Sequence, residues 1–127
     1  MVNMKSLKCL AAVPGTIQVV TSVCDENDLY QKWQWVWNIL RNIGLGKCIK
    51  YYPSDPLLRM SSCNNLQVRQ RIACSFNTLR IREKTMIGAK DDGTVTCYDG
   101  SGIETRWRTS SGDGVDSICN VTNNRGT

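Results

Sequence analysis

The chain has 127 residues, with 16 Lys and Arg against 11 Asp and Glu, no histidine and seven cysteines. That length supports one compact domain over 1–127, and a charged fraction of 21% beside a hydrophobic fraction of 41% excludes intrinsic disorder. No apolar run approaches the roughly 20 residues of a membrane span, so no membrane contact is expected, and the missing histidine removes the usual general base, the commonest metal ligand and the physiological pH switch together.

In chain order the elements read as short strands. Pro14-Gly15 marks a turn, and Ile17 to Thr21 follows it as a β-branched run. Asp25 to Asp28 marks the next turn, and Gln34 to Trp37 reads as another strand. Only over Leu29 to Ile43, with Val36, Trp37, Leu40 and Ile43 at helical spacing, does a short helix compete. Further turns fall at Pro53 to Pro56, Phe76 to Thr78, Asp91 to Gly93 and Asp99 to Gly102. Leu79 to Lys84 alternates strictly, with Leu79 and Ile81 on one face and Arg80, Arg82 and Lys84 on the other. About a dozen short strands imply a closed, all-β architecture without exposed sheet edges.

The cysteines are Cys9, Cys24, Cys48, Cys63, Cys74, Cys97 and Cys119, and none forms the C-x-x-C pair that a zinc ribbon or thioredoxin-like site needs. Their number points to an oxidising, extracellular compartment. From Met1 to Cys24 the longest apolar stretch is Leu10 to Val13, too short for the core of a signal peptide. An excised module of something larger is therefore expected ahead of a chain with its leader removed. Asn120-Val121-Thr122 makes Asn120 a glycosylation acceptor, compatible with secretion.

Sliding the sequence on itself reveals a repeat. Lys8-Cys9-Leu10 recurs as Lys47-Cys48-Ile49, Cys24 as Cys63, and Gln31-Lys32-Trp33 as Gln70-Arg71-Ile72, each 39 residues on. A shortened third copy places Met86-Ile87-Gly88 at the first element and Thr105-Arg106-Trp107 at the third, 35 residues after Gln70. The pseudo-repeats, of about 40 residues each, run over about 1–42, 43–81 and 82–122, with a short C-terminal tail. The paired spacing fits disulfides Cys9–Cys24 and Cys48–Cys63, each closing a loop of 15 residues and contributing about 3 kcal/mol in the chain-entropy model. Cys74–Cys119 ties up the last unit. Cys97 is left as a free thiol, open to two readings: an intermolecular bridge, or a buried small hydrophobe, the favoured one.

These motifs together, with Ile43 to Ile49 and the tail Gly100 to Arg108 followed by Gly112-Asp113-Gly114 and Ile118-Cys119, resemble the ricin B-type β-trefoil. More specifically they resemble the N-terminal cysteine-rich domain of the mannose receptor family, over about Lys8 to Cys119. The resemblance implies a β-trefoil at the tip of a large endocytic receptor, ahead of a fibronectin type II module and C-type lectin domains. It implies binding of sulfated N-acetylgalactosamine-type sugars in the third lobe, where an aromatic two residues before the Arg-Trp pair stacks on the sugar and an Asn-Arg pair helps hold the sulfate. Here the stacking position is Glu104, before Arg106, and the Asn-Arg pair is Ala89-Lys90, followed by Asp91 and Asp92. Repulsion between Glu104 and a sulfate 4–5 Å away costs on the order of 1–4 kcal/mol, and the missing ring costs about 1 kcal/mol more. The galactose-type site lacks its Asp in every unit, at Ala11, Lys50 and Ala89.

Other surfaces compete for a role. Arg69, Arg71, Arg80, Arg82 and Lys84 form the densest basic region, read on two neighbouring strands as a polyanion patch or, favoured at a net charge of +5, as a solvated face. No nucleic-acid motif accompanies it, so no nucleic acid is expected. Trp33, Trp35 and Trp107 are read as core. Trp37 lies outside, free to stack on a partner or sugar, or is packed, the favoured reading. Tyr51-Tyr52 makes an aromatic edge, and the Asp-rich turns are too sparse for a calcium loop. No catalytic residue, metal or cofactor is implied. The expectation is a non-enzymatic, extracellular recognition module of an endocytic receptor, with a sulfated glycan or a protein as partner and neighbouring receptor domains beside it. The alternative is a structural or protein-binding head without a glycan ligand.

Overall fold

The computed structural model describes residues 1–52, 55–81, 85–100, 102–116 and 119. Arg82, Lys84 and Asn120 lie outside the described residues. Twelve strands occur among the described residues: β1 Val2–Asn3, β2 Cys9–Ala12, β3 Val19–Ser22, β4 Trp33–Val36, β5 Ile39–Asn42, β6 Cys48–Tyr52, β7 Asp55–Ser61, β8 Ile72–Ser75, β9 Thr78–Ile81, β10 Met86–Ala89, β11 Val95–Tyr98 and β12 Trp107–Arg108. Three one-turn 3-10 helices, Leu29–Gln31, Val68–Gln70 and Ile103–Thr105, precede β4, β8 and β12.

The strands group as β1–β4, β5–β8 and β9–β12, hereafter the first, second and third lobes. Within each lobe the first three strands pair antiparallel in order, and β4–β5 and β8–β9 form hairpins between lobes. β12 pairs with β1, Asn3 opposite Trp107, which closes the ring. The inner hairpins also touch in a cycle, through Gln18 and Arg59, Val20 and Thr94, and Leu57 and Thr96. Three hairpins capping a closed barrel make a β-trefoil.

The repeat explains the packing. Leu10, Ile49, Ile72, Leu79, Ile81, Ile87, Val95 and Trp107 are buried in one core. Trp107 donates its Nε1–H to Ile87 O at 3.0 Å, and Trp33, one lobe away, donates to Leu10 O at 2.8 Å. Trp33 is only half-buried, at the core edge, where core placement was expected; its equivalent in the second lobe is the smaller, fully buried Ile72. Each of the two repeated glutamines is a latch. Gln70 donates to Ser62 O at 2.9 Å and accepts from Asn64 N–H at 2.8 Å. Gln31 donates to Ser22 Oγ and Val23 O and accepts from Asp25 N–H. In the third lobe Thr105 instead bonds locally to Gly102 O.

Those latches also decide the segment where a helix competed. Leu29 to Ile43 forms a single 3-10 turn and then the β4–β5 hairpin, because Gln31 is pulled inward and Trp35 and Leu40 pair across the strands. The disulfides are Cys9–Cys24, Cys48–Cys63 and Cys74–Cys119. The third joins β8 of the second lobe to the segment beyond β12 rather than the two ends of one unit. Cys97 is free, half-buried on β11 opposite Ile87, and burial with the nearby Asp99 pushes its thiol up to about 12.

Candidate functional site

The third lobe gathers several of the residues singled out in the sequence. Lys90 stands exposed at the β10–β11 turn, whose geometry is fixed by Lys90 N–H on Thr94 O and by Gly93 at φ 90°. In the same turn Asp92 accepts from Thr94 N–H at 2.9 Å, and that bond holds its carboxyl below the usual range. Asp91 pairs with Lys5 of the β1–β2 loop at 3.7 Å. Glu104, in the third 3-10 helix, folds its carboxylate over Gly102, while its carbonyl accepts from Asn3 Nδ2 at 2.8 Å. Arg106 caps the same helix and is exposed. Ala89, at the Asn position of the resemblance, is buried and presents no donor.

Tyr98 belongs to this cluster and was missed in the sequence. Met86 lies opposite Tyr98, and the ring leans diagonally onto Gly88, where an added Cβ would stand 2.6 Å from it. A glycine at 88 is thus required for the ring edge to pack there. Partial burial first, then the Glu104 charge, raises the Tyr98 phenol above its ordinary pKa. The cluster therefore offers an aromatic face and three carboxylates, Asp91, Asp92 and Glu104, against two ammonium groups, Lys5 and Lys90.

The remaining candidates lie elsewhere. Arg69 sits exposed in the second 3-10 helix and Arg71 just beyond it, whereas Arg80 is half-buried on β9 with its Nε closed off. The hairpin expected around Phe76 to Thr78 forms from β8 and β9 and carries Arg80, but Arg69 lies in the helical turn and Arg71 caps it just before β8. Lys50 is turned onto the Tyr52 ring, 5.2 Å from its centre. Trp37 is not packed, contrary to expectation: it tips the β4–β5 hairpin at 54% exposure with φ 59°. Phe76, 39 residues on, tips the β8–β9 hairpin at 83% exposure with φ 52°. A groove of about 670 Å³ opens beside Trp33 and Trp35 in the first lobe, away from every residue expected to bind.

No family model and no curated protein matches the sequence. Solved structures do match. A non-toxic homologue of type II RIPs from Momordica charantia, in complex with α-methyl-D-galactoside, superposes with a TM-score of 0.73 at 15% identity, covering 84% of this chain and 45% of that one. A GlcNAcα1-4Gal-releasing endo-β-galactosidase from Clostridium perfringens gives 0.73 at 12% identity, over 84% of this chain and 30% of that one. The C-half of an earthworm R-type lectin, in complex with GalNAc, gives 0.69 at 11% identity, over 83% and 91%. What they share with this chain is the fold. The chain spans less than half of the first two proteins' length.

Proposed function

We propose that the chain is a non-enzymatic, extracellular carbohydrate-recognition module of the R-type lectin kind, positioned like the cysteine-rich domain of a mannose-receptor-family endocytic receptor. Support comes from the trefoil shared with sugar-bound lectins, the three disulfides, and the combination of motifs around Gln31-Lys32-Trp33. One observation carries the site: Tyr98 packs its Cδ1–Cε1 edge against Gly88, within reach of the Glu104 charge. A flat ring flanked by hydrogen-bond acceptors suits the apolar face and hydroxyls of a neutral galactose-type sugar. The three carboxylates are balanced by Lys5, Lys90 and Arg106, which leaves no net positive charge to favour a sulfate, while Glu104 occupies the stacking position. The site is therefore read as one for an uncharged sugar.

Binding of the oxidised chain to a glycan array tests this, with sulfated and unsulfated galactose and N-acetylgalactosamine side by side at physiological salt. The expected result is binding of unsulfated sugars, lost in Tyr98→Ala, with sulfated binding gained or strengthened in Glu104→Gln. Preference for the sulfated sugars, abolished by Lys90→Glu, contradicts the reading.

The protein-binding alternative has its own support. Trp37 and Phe76 hold left-handed backbone conformations that bulky side chains disfavour, and both rings face solvent. Paired aromatics on equivalent hairpin tips suit a protein surface, and a blank array would transfer the weight to them.

A further inference from the structure

The groove of about 670 Å³ is walled by Leu7, Trp33, Trp35 and Leu40, with Arg108 of β12 among its lining. It is lined mostly by the first lobe, with Leu40 of β5 and Arg108 to Ser110 at the end of the third lobe completing it. Where the first lobe has Trp33 and Trp35, the 39-residue shift places Ile72 and Cys74 in the second, and Cys74 is tied to Cys119. Trp33 has an equivalent in Trp107 of the third lobe, but Trp35 has none, since Cys74 and Thr109 stand at its position, so the second indole departs from the threefold pattern and the fold does not require it.

Two features there stand against stability. Trp35 is 9% exposed, and its Nε1–H reaches neither solvent nor an acceptor among the described residues; a buried donor left unpaired is costly. Leu7 holds φ 61° and is 63% exposed, at the position where the second lobe has Gly46 with φ 73°. A leucine in place of glycine strains the backbone and leaves an apolar side chain in water. Neither feature has a return within the folded chain; both gain one if an apolar ligand carrying an acceptor lies in the groove.

Charge narrows the ligand. Arg108 is half-buried, donates only to Thr109 O at 3.2 Å, and has no carboxylate at ion-pair distance among the described residues. The acids that line the groove, Asp25 and Glu26, follow Cys24 on a separate segment, with Lys32 nearby in sequence and Asp25 already accepting from Asn27 N–H. The β12 side is left cationic. We propose that the groove binds a small amphipathic anion, its apolar body against Leu7, Trp33 and Trp35, its anionic group on Arg108, and an acceptor meeting Trp35 Nε1 as the ring turns toward it. The volume lies within the range of small-molecule sites, and a charge-assisted bond to a half-buried guanidinium supplies the preference for an anion.

The test uses 2-naphthoate and its neutral counterpart 2-naphthamide, titrated calorimetrically into the whole oxidised chain. Naphthoate is expected to bind at least tenfold tighter, a ratio that Arg108→Gln erases while naphthamide binding persists. Raising salt on the unaltered chain narrows the same ratio and needs no variant. Trp35→Phe, which keeps a ring but removes the N–H, weakens naphthoate severalfold yet raises the melting temperature of the free protein. Leu7→Gly does the same. Equal affinity for the two probes, no binding of either at millimolar concentration, or a lowered melting temperature in Trp35→Phe overturns the proposal.

Discussion

Replacing Gln70 with Met measures how much the buried glutamine latch contributes to the trefoil. The side chain is 1% exposed and makes two hydrogen bonds, to Ser62 O at 2.9 Å and from Asn64 N–H at 2.8 Å. Methionine nearly matches its volume, so the cavity term is small and the loss is that of the bonds. At about 1 kcal/mol net each, the cost is about 2 kcal/mol, because Ser62 and Asn64 are exposed and water takes up the freed groups. For a domain of this size that lowers the melting temperature by roughly 6–10 °C. Gln31→Met, which removes three such bonds, costs about 3 kcal/mol, and Thr105→Val, which removes one local bond, costs about 1 kcal/mol. Urea unfolding of the three variants gives the order directly. A Gln70→Met change below about 0.5 kcal/mol, or a Thr105→Val change larger than both glutamine changes, refutes the latch as the source of this stability.

Four further outcomes follow. Cys97, with its thiol pushed up to about 12 by burial, reacts with iodoacetamide at pH 8 about a thousandfold more slowly in the folded chain than in urea, since the thiolate is the nucleophile. The unfolded thiol ionises near 9 and the folded one near 12, so this group favours the folded state below pH 9 and loses that contribution as pH rises toward 12; replacing it with Ser flattens the stability profile across that window. Glu104→Gln lowers the Tyr98 titration midpoint, read by tyrosinate absorbance as a difference between the two proteins, because the Glu104 charge is one of the causes raising it; an unchanged midpoint contradicts the placement of that carboxylate. Trp37→Gly and Phe76→Gly each raise stability by about 1 kcal/mol through relief of a left-handed backbone; if both are neutral or destabilising, those rings contribute to packing.

The sequence made the repeat visible wherever a landmark residue survived in two copies. Cys9 and Cys48, Cys24 and Cys63, and Gln31 and Gln70 share one shift because each performs the same job in its lobe: a disulfide across β2 or β6, and the latch. The third lobe was harder to read since Met86 stands at the start of β10 where β2 and β6 begin with cysteine, and Thr105 satisfies itself locally instead of reaching across. Asn3 and Asn42 obey the same 39-residue shift and do equivalent work, each donating to the carbonyl within a neighbouring 3-10 helix at 2.8 Å. That pair was legible and was overlooked, because buried asparagines carry no periodic signal. Tyr98 was not legible: its place depends on Gly88 lying diagonally across the β10–β11 ladder, a register that side-chain spacing does not encode. Trp37 misled for a related reason, since alternation with Val36 gives no sign that the strand has already ended in a turn.

An ¹H–¹⁵N correlation titration of the oxidised chain with N-acetylgalactosamine tests the central claim most directly. The account predicts shifts concentrated at Gly88, Lys90, Tyr98 and Glu104, absent in Tyr98→Ala, with 4-sulfated N-acetylgalactosamine binding more weakly. Shifts confined to the first or second lobe, or tighter binding of the sulfated sugar, would contradict it.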